Sequence, residues 1–147
     1  MTLEIYRADT SHLGALVPLF DAYRVFYRQP SDPGAARAFL AARLTRQDTV
    51  ILLANLDGPV GFTQLFPSFS SVSAKRLWIL NDLFVKPEAR RGGVAKALLE
   101  SARQHALDTH AKGLVLSTEV DNRSAQHLYE ALGWQRNETF YTYGLEV

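Results

Sequence analysis

The stretch NDLFVKPEARRGGVAK, from Asn81 to Lys96, starts as an apolar strand and ends as the first turn of a helix. Its first half closes a run of β-forming residues that begins near Lys75 and reaches Val85, and Pro87 suits the end of that strand. From Gly92 onward the period changes, with Val94, Ala97, Leu98, Ala102 and His105 on one helical face. Strand, glycine turn and helix follow within a few residues, and the rest of the chain can be placed around that unit. Upstream, Leu3 to Arg7 alternates as a first strand. A helix capped by Thr10 or Ser11 carries Leu13, Leu16, Val17, Phe20 and Tyr23 on one face. Asp32-Pro33 suits the N-cap and first turn of a second helix running to about Arg46. Val50 to Leu56 reads as a buried strand, Asp57-Gly58-Pro59 as a turn, and Val60 to Phe66 as the returning strand. Ser68 to Ser73 reads as a loop. Downstream, Gly113 leads into a strand from Leu114 to Ser117. Asn122 to Leu132 forms a last helix stopped by Gly133, and Trp134 to Leu145 is expected to supply one or two closing strands with a hairpin near Asn137. Hairpin-linked strands come first and strand–helix–strand units later. The expectation is an α/β (α+β) fold with a mixed sheet and helices on its faces.

Length and composition narrow the chemistry. A chain of 147 residues, 47% hydrophobic, is expected to form a single domain, 1–147, with one core. No run approaches the ~20 apolar residues of a membrane span, and no basic-then-apolar leader opens the chain, so a cytoplasmic location is expected. Cysteine is absent, which excludes disulfides, thiolate metal sites and a cysteine nucleophile. His12, His105, His110 and His127 are scattered, and no metal is expected. The net charge of +1, without a basic tract, gives no footprint for nucleic acid. Neither a P-loop, a G-x-G-x-x-G fingerprint nor a G-x-S-x-G elbow is present.

Arg90-Arg91-Gly92-Gly93-Val94-Ala95 is the segment with the clearest chemistry. The first N–H groups of a helix lack intrahelical partners, and the helix dipole adds partial positive charge there. Such an end stabilises an anion, a pyrophosphate above all. Gly92 and Gly93 remove side chains that would hold phosphate oxygens away, while Arg90, Arg91 and Lys96 add full charges.

Arg90-x-x-Gly93-x-Ala95 resembles the [Gln/Arg]-x-x-Gly-x-[Gly/Ala] pattern by which the GNAT superfamily of N-acetyltransferases holds coenzyme A. Asn81 to Val85 resembles the strand before that loop. Asn122-x-x-Ala125-x-x-Leu128-Tyr129-x-x-Leu132-Gly133-Trp134 is similar to the second cofactor motif. The Asn81-Asp82 pair, the Tyr23 to Tyr27 segment and the closing aromatics are closest to the Hpa branch, known for acetylating polyamines, small basic proteins and histone tails. The resemblance implies the GNAT fold, with a mostly antiparallel sheet of six to seven strands flanked by about four helices. It implies acetyl-CoA as co-substrate and direct transfer of acetyl to an amine. Backbone groups of Leu83, Phe84 and Val85 would bond the pantetheine arm and stabilise the oxyanion. Arg90, Arg91, Gly92, Gly93, Val94, Ala95 and Lys96 would hold the pyrophosphate, and Asn122, Ala125 and Tyr129 would flank the cofactor. Asp82 is the first candidate for the general base and Glu119 the second; a strand aspartate also serves by bonding backbone or a nearby cation. Tyr129 is the candidate acid for the thiolate, against a plain core role on the apolar face of its helix.

The acceptor is less defined. Phe20, Tyr23, Phe26 and Tyr27 have the spacing of core packing, yet in this fold the first helices wall the acceptor site. Tyr23, Tyr27, Phe66 and Tyr141 are therefore candidate substrate contacts, able to face an amine through cation–π attraction. No dense acidic patch accompanies them, although Asp21 and Asp32 lie in the same region. A small amine or polyamine is expected, with a peptide lysine or N-terminus, or a silent acetyl-CoA sensor, as alternatives. Resemblance also implies a homodimer, with Thr139 to Leu145 pairing across the boundary.

Overall fold

The computed structural model describes residues 2–147. The chain forms two compact units, one reaching Leu116 and the other spanning Ser117–Val147.

Among the described residues of the first unit, five strands form one sheet in the order β1-β2-β3-β4-β5. β1 (Glu4–Arg7), β2 (Val50–Asn55), β3 (Pro59–Ser70) and β4 (Lys75–Val85) run antiparallel to their neighbours. β5 (Leu114–Val115) joins β4 in parallel. The fold is thus a mixed, mostly antiparallel sheet with helices, but with five strands where six to seven were expected. The missing strands are those expected from Trp134 to Leu145, which adopt no strand.

Helix α1 (Leu13–Phe26) buries Leu16, Val17, Leu19 and Phe20, and α2 (Pro33–Arg46) buries Ala36, Leu40 and Leu44. Both join Ile51, Leu53, Phe62 and Phe84 in one core cluster. Helix α3 (Val94–Asp108) buries Val94, Leu98, Leu99, Ala102 and Ala106 and packs on β2, β3 and β4. With helices on both sides, β2 is apolar at nearly every position rather than alternating.

Local chemistry explains the boundaries. The Asp32 carboxylate accepts from Ala35 N at 3.0 Å, and Pro33 takes the first helical position, where its missing N–H is harmless. At the other end Asp9, not Thr10 or Ser11, is the cap. Its side chain accepts from Ser11 N, and the His12 ring returns to Asp9 N at 2.9 Å, opening a short 3-10 turn ahead of α1. The first half of the serine run is strand. Ser68 and Ser70 pair with Leu77 and Lys75, and only Ser71 to Ala74 turn. A long β4 supplies ladder partners there, and the Arg76 guanidinium covers the Phe69 ring at 5.3 Å.

Gly61 marks a close approach. It pairs with Val85, and a Cβ on it would lie 2.7 Å from the Phe84 carbonyl oxygen. Gly61→Ala is therefore expected to destabilise the fold by about 1–3 kcal/mol, because the obstacle is backbone. Thermal unfolding checks it; an unchanged Tm would show that β3 and β4 can part there without strain.

In the second unit α4 (Arg123–Ala131) is capped by Asn122, whose side chain accepts from Ala125 N at 3.3 Å. Gly133 ends it at φ 94°, the left-handed conformation a helix stop uses. Asn137 does turn the chain, its Oδ1 accepting from Thr139 N at 2.9 Å, but no strands flank it. A strand is stable only with ladder partners, and within this unit none is offered.

Candidate active site

β4 changes face at Asn81. Gln64 on β3 pairs with Asp82, yet its neighbour Leu65 pairs with Leu80, so Asn81 is an extra residue, a β-bulge. Adjacent residues of β3 point to opposite faces. Leu80 and Asp82 therefore also point to opposite faces, although they are two apart. Before the bulge Trp78 meets His105 of α3, with ring centroids 4.6 Å apart. Burial holds the His105 imidazole below its ordinary pKa, and the Arg7 charge adds to the effect. After the bulge Phe84 meets Tyr23 of α1 at 6.2 Å. The bulge thus turns Asp82 to the α1 side, on the face of Phe62, Gln64 and Phe66.

Asp82 is only 6% exposed. Its Oδ2 accepts from Gln64 Nε2 at 2.7 Å, and Asn81 Nδ2 lies 3.2 Å from each carboxylate oxygen. Neither loop backbone nor Lys75 is among these partners. Gln64 Oε1 in turn accepts from Thr49 Oγ1 at 2.9 Å. The Tyr23 hydroxyl stands 3.5 Å from the Asn81 carbonyl oxygen, at the outer limit of a hydrogen bond, and its ring meets Tyr27, Phe62 and Phe84.

Among the described residues of the first unit, no strand pairs with the second edge of β4 beyond the bulge. The β4–β5 pairing consists of Trp78 with Leu114 and Ile79 with Val115. Lys86 N donates to Val60 O, towards β3. Backbone groups alternate sides along a strand, so Leu83 and Val85 turn theirs to the open edge while Phe84 turns its own to β3. Of Leu83, Phe84 and Val85, the first and last therefore present their backbone groups at that edge. At that edge the Val85 carbonyl accepts from Arg90 Nε at 3.0 Å.

The glycine turn follows. Arg91 (φ 66°) and Gly93 (φ 82°) are left-handed, and Gly93 caps α3 without any side-chain hydrogen bond. No Cβ stands over Gly92 or Gly93, so the first N–H groups of a long helix are open to an anion. Among the described residues no ion pair engages Arg91 or Lys96, and both are exposed. Val94 is buried and fixes the helix start, with Ala95 half-buried beside it. These features fit a pyrophosphate. Arg90 Nε donates to Val85 O, and its guanidinium lies 5.9 Å from the Phe26 and Phe84 rings at the start of the turn.

In the second unit Glu119 precedes α4, and its carbonyl accepts from Asn122 N and Gln126 Nε2. Tyr129 is half-buried, with its ring 6.0 Å from that of Trp134. Tyr141 is 91% exposed. Asp21 and Asp32 serve structure. Asp21 accepts from Ser31 Oγ and Asp32 N, both at 2.7 Å, and these bonds lower its pKa. Gln64, Thr49 and Gly61 escape a sequence reading, although a glutamine between Phe62 and Phe66 is itself a sign that something buried needs an amide. Among the described residues no cluster of His, Asp and Glu could hold a metal, and no helix is long and apolar enough to cross a membrane.

Residues 16–134 match the profile of the Acetyltransferase (GNAT) family. The chain is 50% identical over 146 residues to a protein named uncharacterized N-acetyltransferase YhfO of Bacillus subtilis, covering 99% of this chain and 98% of that one. A solved structure of a probable acetyltransferase, 48% identical, superposes with a TM-score of 0.92 over 98% of this chain and 97% of the other. At 21% identity, AAC(6')-Iy in complex with the bisubstrate analogue CoA-S-monomethyl-acetylneamine shares the fold, with a TM-score of 0.81 over the full length of both chains. Sheet, glycine turn and sequence match thus agree, and the chain belongs to the GNAT family as an N-acetyltransferase.

Proposed function

We propose that the protein carries acetyl from the thioester of acetyl-CoA directly to the primary amine of a small molecule. One observation carries this reading: a strand edge at Leu83 and Val85, outside the β4–β5 pairing and with its Val85 carbonyl held by Arg90, runs straight into the uncapped N-terminus of α3. An extended amide-bearing arm suits the edge and a pyrophosphate suits the turn.

An alkylammonium resembles lysine, with a pKa of ~10.4, so at pH 7 removing its proton costs roughly 4–5 kcal/mol. Asp82 accepts that proton, directly or through a water, and the freed nitrogen lone pair attacks the acetyl carbon. An N–H of Leu83 or Val85 stabilises the oxyanion that forms. Collapse breaks the C–S bond, and Tyr129 protonates the departing thiolate. Asp82 is preferred to Glu119 because it is buried on the bulged strand, directly before the edge residue Leu83.

Tyr23, Tyr27 and Phe66 supply aromatic surface for one ammonium. Asp21 and Asp32 are engaged in joining α1 to α2, which leaves them poorly suited to a string of positive charges. The acceptor is therefore a small amine with few charges, rather than a polycation of the kind the Hpa branch is known to acetylate.

The test is thiol release from acetyl-CoA across alkylamines, polyamines, amino acids, aminoglycosides and basic peptides. Turnover should be fastest with a small amine. Faster turnover of peptides would overturn the acceptor assignment, and coenzyme A binding without turnover on any amine would make the protein a sensor. Tyr129→Phe should lower kcat by roughly 10- to 30-fold, the factor set by a thiol pKa of ~8.5 at pH 7, with affinity for acetyl-CoA retained. An unchanged kcat would remove Tyr129 as the acid.

A further inference from the structure

Gln64 is 1% exposed, in the middle of β3, and both ends of its amide are satisfied. The direction of these bonds follows from the carboxylate. Ionised Asp82 can only accept, so the amide must turn its NH2 to Oδ2 and its oxygen to Thr49, whose hydroxyl must then donate. Asn81 Nδ2 is 3.2 Å from both carboxylate oxygens and does not distinguish them. Gln64, at 2.7 Å from Oδ2, does.

We propose that Gln64, locked by Thr49, is a positioning residue that orients Asp82 and reserves Oδ1 as the proton-accepting oxygen. The inference rests on Asp82 being the base. Oδ2 already holds an N–H, and a proton placed there would meet the Gln64 hydrogen. In the step, an N–H bond of the ammonium breaks, its electron pair stays on nitrogen, and the proton forms an O–H bond at Oδ1. The Gln64 N–H···Oδ2 bond persists through the transfer. An amide does not pass protons along, so Thr49 and Gln64 hold the carboxylate rather than relay from it.

Replacing Gln64 itself risks the fold, so Thr49, half-buried at the end of the chain of bonds, is the better probe. Thr49→Val removes the donor at nearly constant shape, and Thr49→Ser restores it. With acetyl-CoA and the panel amine turned over fastest, Thr49→Val should lower kcat roughly 3- to 10-fold with KM for acetyl-CoA unchanged. Thr49→Ser should return kcat to the parental value. In an Asp82→Asn background Thr49→Val should have no further effect, since no base remains to be oriented. Parental kcat in Thr49→Val, or the same loss with and without Asp82, overturns the positioning role while leaving the base intact. Parental kcat in Asp82→Asn alone overturns the base assignment, and this inference with it.

Discussion

Asp82→Asn is expected to lower kcat by about 10²–10⁴-fold at pH 7, the usual contribution of a positioned base. Asparagine has nearly the same shape, and its oxygen can still accept from Gln64, so thermal stability and KM for acetyl-CoA should change little. The defect should also shrink as pH rises. Without a base the enzyme must wait for free amine, whose fraction grows tenfold per unit until the amine pKa, ~10.4 for an alkylamine, is approached. Steady-state kinetics from pH 7 to 9.5 checks both statements. A loss of constant size at every pH would mark Asp82 as a strut of the bulge. A kcat close to the parental one would transfer the role to Glu119 or to water.

Gly93→Glu should raise the dissociation constant of acetyl-CoA by roughly 100-fold, with each tenfold corresponding to 1.4 kcal/mol. Two effects add. At φ 82° a side chain is strained by roughly 1–2 kcal/mol, and a carboxylate at the start of α3 competes with phosphate for the same N–H groups. Gly93→Asn separates them, because asparagine tolerates the left-handed conformation and carries no charge. Calorimetric titration with coenzyme A should find the asparagine variant close to the parent. Equal binding by the glutamate variant would show that the pyrophosphate lies elsewhere.

Much of the donor side is legible in the sequence because its signals are local. Asp32-Pro33 fixes the start of α2, the glycine pair fixes the start of α3, and Asn122 with Gly133 brackets α4. β4 reads correctly from Lys75 to Val85 because its β-formers are continuous. What escapes depends on partners. Ser68 and Ser70 become strand only because β4 is long enough to pair them. Phe140, Tyr141 and Tyr143 have strand-forming side chains but no ladder, and remain exposed. The bulge at Asn81 leaves no trace in hydropathy, since Leu80 and Asp82 look like neighbours on one face. Gln64 then has no visible reason to be buried. In the candidate site, the residues that bind through backbone are legible by position, whereas those that orient a side chain become visible only once register is known.

The extra residue at Asn81 also separates β4 into two halves that can change independently. Residues added or removed in cross-strand pairs at the Ser70–Lys75 end leave what Asp82, Leu83 and Val85 face unaltered. Drawing Asn81 into the ladder would do the opposite: every later side chain would swap sides, Phe84 would leave the α1 core, and Asp82 would be driven towards α3, whereas deleting Asn81 would leave Leu80 against Leu65 and Asp82 against Gln64. For anyone reshaping acceptor preference, the hairpin tip is the part of the strand that can be lengthened, shortened or recombined, and Asn81 is the residue that the ladder has to leave unpaired.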